Sequence, residues 1–183
     1  MKRFLITILT LLSIAATAQD KYFTRNGKVH LSASTPLETI EADNDKGTSV
    51  LVASTGQTEF AVLMKAFIFE KALMQEHFNE NYVESDKFPK AIFKGSVTNI
   101  SEVNFTKDGN YPVKLSGKLT LHGVTRDIIA DGNIVIRNAS PSAKVNFEVI
   151  IADYGIEIPS LVKEKISRTV KIEVSASYET MKL

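Results

Sequence analysis

The sequence predicts an all-β fold, in which a single domain is built from about eight antiparallel strands. Apolar and polar residues alternate along several segments of roughly ten residues, which is the period of a strand with one buried face. Short clusters of Gly, Asp and Asn separate these segments. The length of 183 residues and the apolar content of 44% are those of one globular domain. A β-sandwich and a closed up-and-down barrel both fit this strand count, and closure would remove exposed strand edges.

The strands follow from this alternation. The clearest example lies near the carboxyl end, where apolar side chains take every second position from Val170 to Tyr178. The eight predicted strands are Lys28–Ser34, Thr48–Ser54, Glu59–Phe69, Ala91–Ile100, Tyr111–Leu121, Asp127–Arg137, Ala143–Ile151 and Arg168–Tyr178.

Turn-forming residues connect the predicted strands. Four clusters are typical of hairpin turns, because Gly, Asn and Asp tolerate the backbone angles that such turns need. They are Asp45–Gly47, Lys107–Asn110, Asp131–Asn133 and Asn138–Pro141.

Two segments depart from the strand period. Glu70–Tyr82 places Leu73, Met74 and Phe78 on one face, which predicts a short amphipathic helix. We expect this helix, at about residues 70–82, to form a lid over one end of the sheet through those three side chains. Ser160–Ile166 predicts a second, shorter helical turn at about residues 160–166.

The first eighteen residues, Met1–Ala18, have the features of a secretory signal peptide. Two basic residues precede the apolar run Phe4–Ala16, and Ala16 and Ala18 form a small-x-small cleavage site before the polar Gln19. This pattern predicts cleavage near Ala18, a periplasmic or secreted protein, and a single domain over residues 19–183. Because later apolar stretches are much shorter than the roughly 20 residues that span a bilayer, we expect no membrane segment in the mature chain.

Composition argues against several classes of function. The formal net charge of +1 gives no broad attraction to nucleic acid. The absence of Cys excludes disulfides and cysteine nucleophiles, and His30, His77 and His122 are too dispersed for a predicted metal site. Neither a Gly-x-Ser-x-Gly motif nor a phosphate-binding glycine loop occurs. The residues thus indicate no catalytic, metal or cofactor site, although acid–base catalysis by a pair of carboxylates stays open.

Two motifs resemble a known family. Phe88–Phe93 reads FPKAIF and Gly117–Arg126 reads GKLTLHGVTR. These motifs, within Phe78–Val97 and Tyr111–Ile128, resemble the YceI-like family of exported bacterial proteins with a lipocalin-like barrel. The sequence of Phe78–Val97 is similar to the family variant that is common in Bacteroidetes. The first strand, around GKVHLSAST, departs from the family pattern.

The resemblance implies that the barrel binds a long apolar lipid, such as a polyisoprenoid or an isoprenoid quinone, and that it is not an enzyme. An apolar wall of alternating side chains would supply the binding surface. The predicted lining residues are Val62, Met64, Phe93, Val97, Leu115, Leu119, Phe147, Val149, Ile172 and Val174. Two alternatives stay open: a filled barrel that acts as an interaction or stress-response module, and an enzyme that acts on a lipid. Homodimer formation also stays open.

Overall fold

Within residues 21–181, which the computed structural model describes, eight long strands close into one antiparallel barrel. This closure shows that the fold is the barrel and not the sandwich. The predicted signal peptide, Met1–Ala18, lies outside the described residues. The strands are β1 (Lys21–Ser32), β2 (Glu41–Val52), β3 (Gln57–Leu63), β4 (Ile68–Phe69), β5 (Lys90–Val97), β6 (Gly109–Leu121), β7 (Val124–Arg137), β8 (Ser140–Ile150), β9 (Thr169–Ser177) and β10 (Glu179–Thr180). The barrel order is β1-β2-β3-β5-β6-β7-β8-β9, and pairing between β1 and β9 completes the ring. The short strands β4 and β10 pair with β2 and β1.

The strand predicted over Glu59–Phe69 is divided in two. A turn of 3-10 helix at Met64–Ala66 separates β3 from β4. The Met64 N–H donates to the carbonyl of Pro89, and the side chains of Met64 and Phe67 are buried. Burial of these two side chains explains why the segment is apolar at both odd and even positions.

The turn predicted at Asp45–Gly47 is wrong, because these residues lie within β2. Gly47 pairs with Gly27, whereas Asn44 pairs with Val29, so β2 carries one extra residue at a β-bulge. The Asn44 side chain stabilises the bulge: its Oδ1 accepts from the Lys46 N–H at 2.9 Å and its Nδ2 donates to the Leu63 carbonyl at 2.9 Å.

The turn predicted at Asp131–Asn133 is also wrong, since β7 runs through it. A Cβ added to Gly132 would lie 2.6 Å from the Lys144 carbonyl oxygen on β8, so glycine here permits close strand approach rather than a turn. By contrast, the turn at Asn138 is confirmed: Asn138 and Ala139 both have positive φ and join β7 to β8.

The predicted helix is confirmed as a short one. Helix α1 spans Ala72–His77 and continues in wider π-helical turns over Phe78–Tyr82. At the second predicted position, a 3-10 turn covers Ser160–Val162.

The two ends of the barrel differ. The connections 33–40, 64–89, 122–123 and 151–168 form the end that we call the mouth. The opposite end is closed by residues 98–108, where the rings of Phe105 and Tyr22 stack with centroids 5.4 Å apart. Among residues 21–181, no helix is long and apolar enough to cross a membrane.

Candidate ligand-binding site

An apolar cavity of about 90 Å³ lies inside the barrel. Its wall is formed by alternate side chains of β2, β3 and β5–β9, because every second residue of a strand faces the interior. The large side chains in this wall are aromatic or aliphatic, and Ala130, Ala143 and Ala176 leave space between them. The arrangement provides a dry surface that suits an apolar ligand.

Phe60 on β3 lies flat against the barrel wall because two glycines face its ring. Gly27 and Gly47 pair across β1 and β2. A Cβ on Gly27 would lie 2.8 Å from Phe60 Cε2, and one on Gly47 would lie 2.6 Å from Phe60 Cζ. Any larger residue at these positions would push the Phe60 ring toward the cavity, so the two glycines help to keep it open.

A second cavity, of about 400 Å³, occupies the mouth. The predicted lid residues Leu73, Met74 and Phe78 all line it, together with aliphatic residues from 31–40 and 151–170. Phe78 anchors the lid to the barrel, because its ring packs on Phe69 at 4.9 Å and on Phe67 at 5.6 Å between centroids. Glu38, Lys71 and Lys165 are the charged residues of its lining.

A layer of aliphatic side chains lies between the two cavities. Its position follows from the strand period: Ile172 lies between Val170, which lines the mouth cavity, and Val174, which lines the interior cavity. Val149 likewise follows Phe147 and precedes Ile151 at intervals of two residues. We call this set the aliphatic layer; its members are Val29, Val62, Leu119, Val149 and Ile172, all within one core cluster.

The ten predicted lining residues divide between these places. Those that line the interior cavity are Phe93, Val97, Leu115, Phe147 and Val174. Val62, Leu119, Val149 and Ile172 belong to the aliphatic layer, and Met64 is buried in the 3-10 turn beyond β3. Their contact with a ligand stays a prediction.

Sequence reasoning missed a polar group in the cavity wall. Tyr178, Ser49 and Thr58 all line the interior cavity. The Ser49 hydroxyl donates to the Glu59 carbonyl at 2.9 Å, so the Tyr178 hydroxyl donates to Ser49 Oγ at 3.0 Å. Burial raises the pKa of Tyr178, which keeps it neutral. The sequence pattern does place Tyr178 inside the barrel, because it continues the inward-facing positions of β9. The alternation of apolar and polar residues alone does not identify its hydrogen-bond partners.

His122 connects three segments at the mouth. Its Nε2 lies 2.7 Å from Glu84 Oε2 and its Nδ1 lies 3.0 Å from the Tyr154 carbonyl oxygen. Both partners are hydrogen-bond acceptors toward the imidazole ring. The hydrogen bond from His122 holds the pKa of Glu84 below its ordinary value of 4.5, and the nearby Lys87 ammonium acts in the same direction. The turn between β6 and β7 is thereby tied to the segments that follow α1 and β8.

We predict that the stability supplied by Glu84 is lost in acid. Because the folded state lowers the pKa of Glu84, its contribution is complete above pH 4.5 and declines as pH falls below that value toward the folded pKa. Glu84→Gln should therefore remove part of the acid dependence of the unfolding free energy, measured by urea denaturation across the acid range. Asp86→Asn is the control, since Asp86 lies on the surface beside Lys65. Identical pH curves for Glu84→Gln and wild type would contradict this role.

The three histidines occupy different parts of the fold. His30 lies on the outer face of β1 and contacts Asp43 at 2.9 Å, whereas His77 lines the mouth cavity. In the described part of the chain, no three His, Asp or Glu side chains converge as a metal site.

This geometry defines a small closed β-barrel of the lipocalin-like type, with one apolar cavity inside it and another at its mouth. The chain belongs to the YceI-like domain family, whose match spans residues 17–178. The family membership confirms the resemblance carried by the FPKAIF and GKLTLHGVTR motifs.

Solved structures of similar proteins support the same fold. A polyisoprenoid binding domain from Saccharophagus degradans, implicated in plant cell wall breakdown, is 16% identical with a TM-score of 0.74, covering 89% of this chain and 99% of that one. BcnA from Burkholderia cenocepacia is 12% identical with a TM-score of 0.70, covering 84% and 96%. The Campylobacter jejuni YCEI protein is 12% identical with a TM-score of 0.50, covering 99% and 92%. None of the curated proteins compared with this sequence matches it.

Proposed function

We propose that this protein binds a long apolar lipid, such as a polyisoprenoid or an isoprenoid quinone, within the barrel. The observation that carries the proposal is the succession of two apolar cavities along the same strands, separated by one layer of aliphatic side chains. The Saccharophagus degradans relative, described as a polyisoprenoid binding domain, supports this ligand class. The role is that of a binding protein without catalysis.

The physical basis is transfer of the lipid chain from water to a dry wall. Each methylene that becomes buried contributes about 0.8 kcal/mol. The interior cavity of about 90 Å³ accommodates only one end of a long chain, so the rest of the ligand would occupy the mouth cavity of about 400 Å³. A ligand that fills both cavities must displace the aliphatic layer, through rotamer changes of residues such as Ile172 and Val149.

The predicted signal peptide supports an exported location for the protein, which is part of the proposal. Cleavage near Ala18 would release the barrel domain into the periplasm or outside the cell. A protein that carries an insoluble chain through an aqueous compartment needs the ligand shielded from water, and the two cavities provide that shielding.

The aliphatic layer favours one alternative function. A barrel whose interior is closed by its own side chains can serve as an interaction or stress-response module without a lipid. Under this alternative, the interior cavity of about 90 Å³ is a packing void in a filled barrel.

The deciding experiment is native mass spectrometry of the mature protein purified from its own periplasm, followed by extraction into organic solvent. We expect an added mass that is released as a prenyl or quinone species. A protein that is empty after purification, and that stays empty after incubation with quinones and polyprenols, would overturn lipid binding and favour the filled barrel. A bound fatty acyl species would retain lipid binding but contradict the isoprenoid class.

A further inference from the structure

Exposed leucines surround the mouth cavity. Leu161 is 94% exposed, Leu37 is 64% exposed and Leu73 is 61% exposed. Each comes from a different segment: Leu37 from the connection between β1 and β2, Leu73 from α1, and Leu161 from the 3-10 turn after β8. Three leucines exposed around one opening form an apolar surface that is costly to leave in water.

Direct contacts hold these segments together as one rim. Lys71 Nζ lies 2.7 Å from Glu38 Oε1, which joins the start of α1 to the connection that carries Leu37. Thr35 Oγ1 donates to the Lys165 carbonyl at 3.3 Å, which joins that connection to the segment that carries Leu161. We call the surface of Leu37, Leu73 and Leu161 the leucine rim.

The charges beside the leucine rim nearly balance. Lys163 and Lys165 closely follow Leu161, and Lys71 precedes Leu73 by two residues. The acidic partner Glu38 is paired with Lys71. Lysine side chains reach toward anionic headgroups while their carbon stems lie along apolar surface. With Glu38, the acidic residues Glu70, Glu76 and Glu164 outnumber these three lysines by one, so the leucines supply the contact.

The leucine rim is also continuous with the mouth cavity, which is part of the proposed lipid site. Leu73 both lines the mouth cavity and reaches solvent, and Val162, the neighbour of Leu161, lines the same cavity. A rim seated in the outer layer of a bilayer would place the mouth cavity directly against lipid. An apolar chain could then enter or leave the barrel without crossing water.

We propose that the leucine rim docks the barrel, mouth first, on the surface of a phospholipid bilayer. The contact is shallow and reversible, since three leucines and a few lysines are far less than a membrane-spanning helix. This inference rests on the proposed lipid-binding function, because it supplies the route by which the ligand is exchanged.

The test measures binding of the mature protein to vesicles by flotation. One set of vesicles contains phosphatidylethanolamine and phosphatidylglycerol, and a second contains phosphatidylcholine alone. The double variant Leu37→Ser/Leu161→Ser removes two rim leucines that do not line either cavity. Ile129→Ser is the matched control, since Ile129 is 77% exposed on the outer wall of β7.

We expect the wild type and Ile129→Ser to bind both vesicle types to a similar extent, and the double variant to bind at least tenfold more weakly. Equal binding by the double variant, or an equal loss in Ile129→Ser, would overturn the proposal. Absence of wild-type binding would overturn it as well. If the wild type instead forms a dimer that the double variant does not form, the rim is a contact between two copies of the chain.

The lipid content of the same proteins separates this inference from the proposed function. We expect the double variant to retain its lipid in native mass spectra, because Leu37 and Leu161 lie outside both cavities. A lipid-loaded wild type that ignores vesicles would remove the docking surface and leave the binding function intact. An empty protein that binds vesicles would do the reverse.

Discussion

Leu119→Arg is expected to prevent the barrel from folding. Leu119 lies on β6 within the buried aliphatic layer, where it is surrounded by apolar side chains. A guanidinium at this position would have no anionic partner in the aliphatic layer, and an uncompensated buried charge costs about 3 to 5 kcal/mol. The lost packing of the leucine adds about 2 to 5 kcal/mol. The two losses together are comparable with the whole stability of a small protein, which is about 5 to 15 kcal/mol. Far-UV circular dichroism and urea denaturation would measure it.

The control for this prediction is the neighbouring residue. Lys118 points outward, where its Nζ lies 2.8 Å from Asp127 Oδ1 in an exposed ion pair. Lys118→Gln should change stability by no more than about 1 kcal/mol, since surface ion pairs contribute little. Leu119→Ala provides a measurable folded variant, with an expected loss of about 2 to 5 kcal/mol. Equal losses in Lys118→Gln and Leu119→Ala would contradict the inward orientation of Leu119.

Ala130→Leu is expected to block ligand binding while leaving the barrel folded. Ala130 is buried on β7, pairs with Leu115 on β6, and lines the interior cavity. The substitution adds three carbon atoms to a cavity of about 90 Å³. Filling a cavity of this kind commonly adds about 0.5 to 2 kcal/mol of stability, so binding and stability should change in opposite directions. Lipid occupancy should fall at least tenfold in native mass spectra after incubation with a polyprenol.

Ser116→Leu is the matched control for the blocked cavity. Ser116 lies on the outer face of β6, so the same leucine side chain is added away from the interior. Its lipid occupancy should equal that of the wild type. If Ala130→Leu retained full occupancy, the ligand would not use the interior cavity. If it lost ligand together with several kcal/mol of stability, the cavity would lack the space that we assign to it.

The strands were predictable because their alternation records burial directly. Thr169–Ser177 matches the strand expected from the positions of Val170 to Tyr178 nearly to the residue. The two mistaken turns share a cause: Gly47 and Gly132 serve close contact between neighbouring strands. In a single sequence, a glycine that permits such contact is flanked by the same types of residue as a glycine that forms a turn.

The site was predictable only in part. Strand parity places Phe93, Leu115 and Val174 inside the barrel, and the structure has them lining the interior cavity. Whether an inward-facing side chain lines a cavity or belongs to the layer between the cavities depends on its position along the barrel axis. The alternation of apolar and polar residues does not show that position. Leu119 and Ile172, which are predicted lining residues, lie in the aliphatic layer, and their contact with a ligand stays a prediction.

The aliphatic layer also has a kinetic consequence. A ligand end passes Val149 and Ile172 only while those side chains are moved apart, so its entry into the interior cavity and its exit are timed by rearrangement of packed groups. Differences in retention among complexes commonly reside in the dissociation rate. A barrel built in this way can keep its cargo for a long residence time at modest equilibrium affinity. The ligand would then be released on contact with a membrane that accepts it, rather than by dissociation into water.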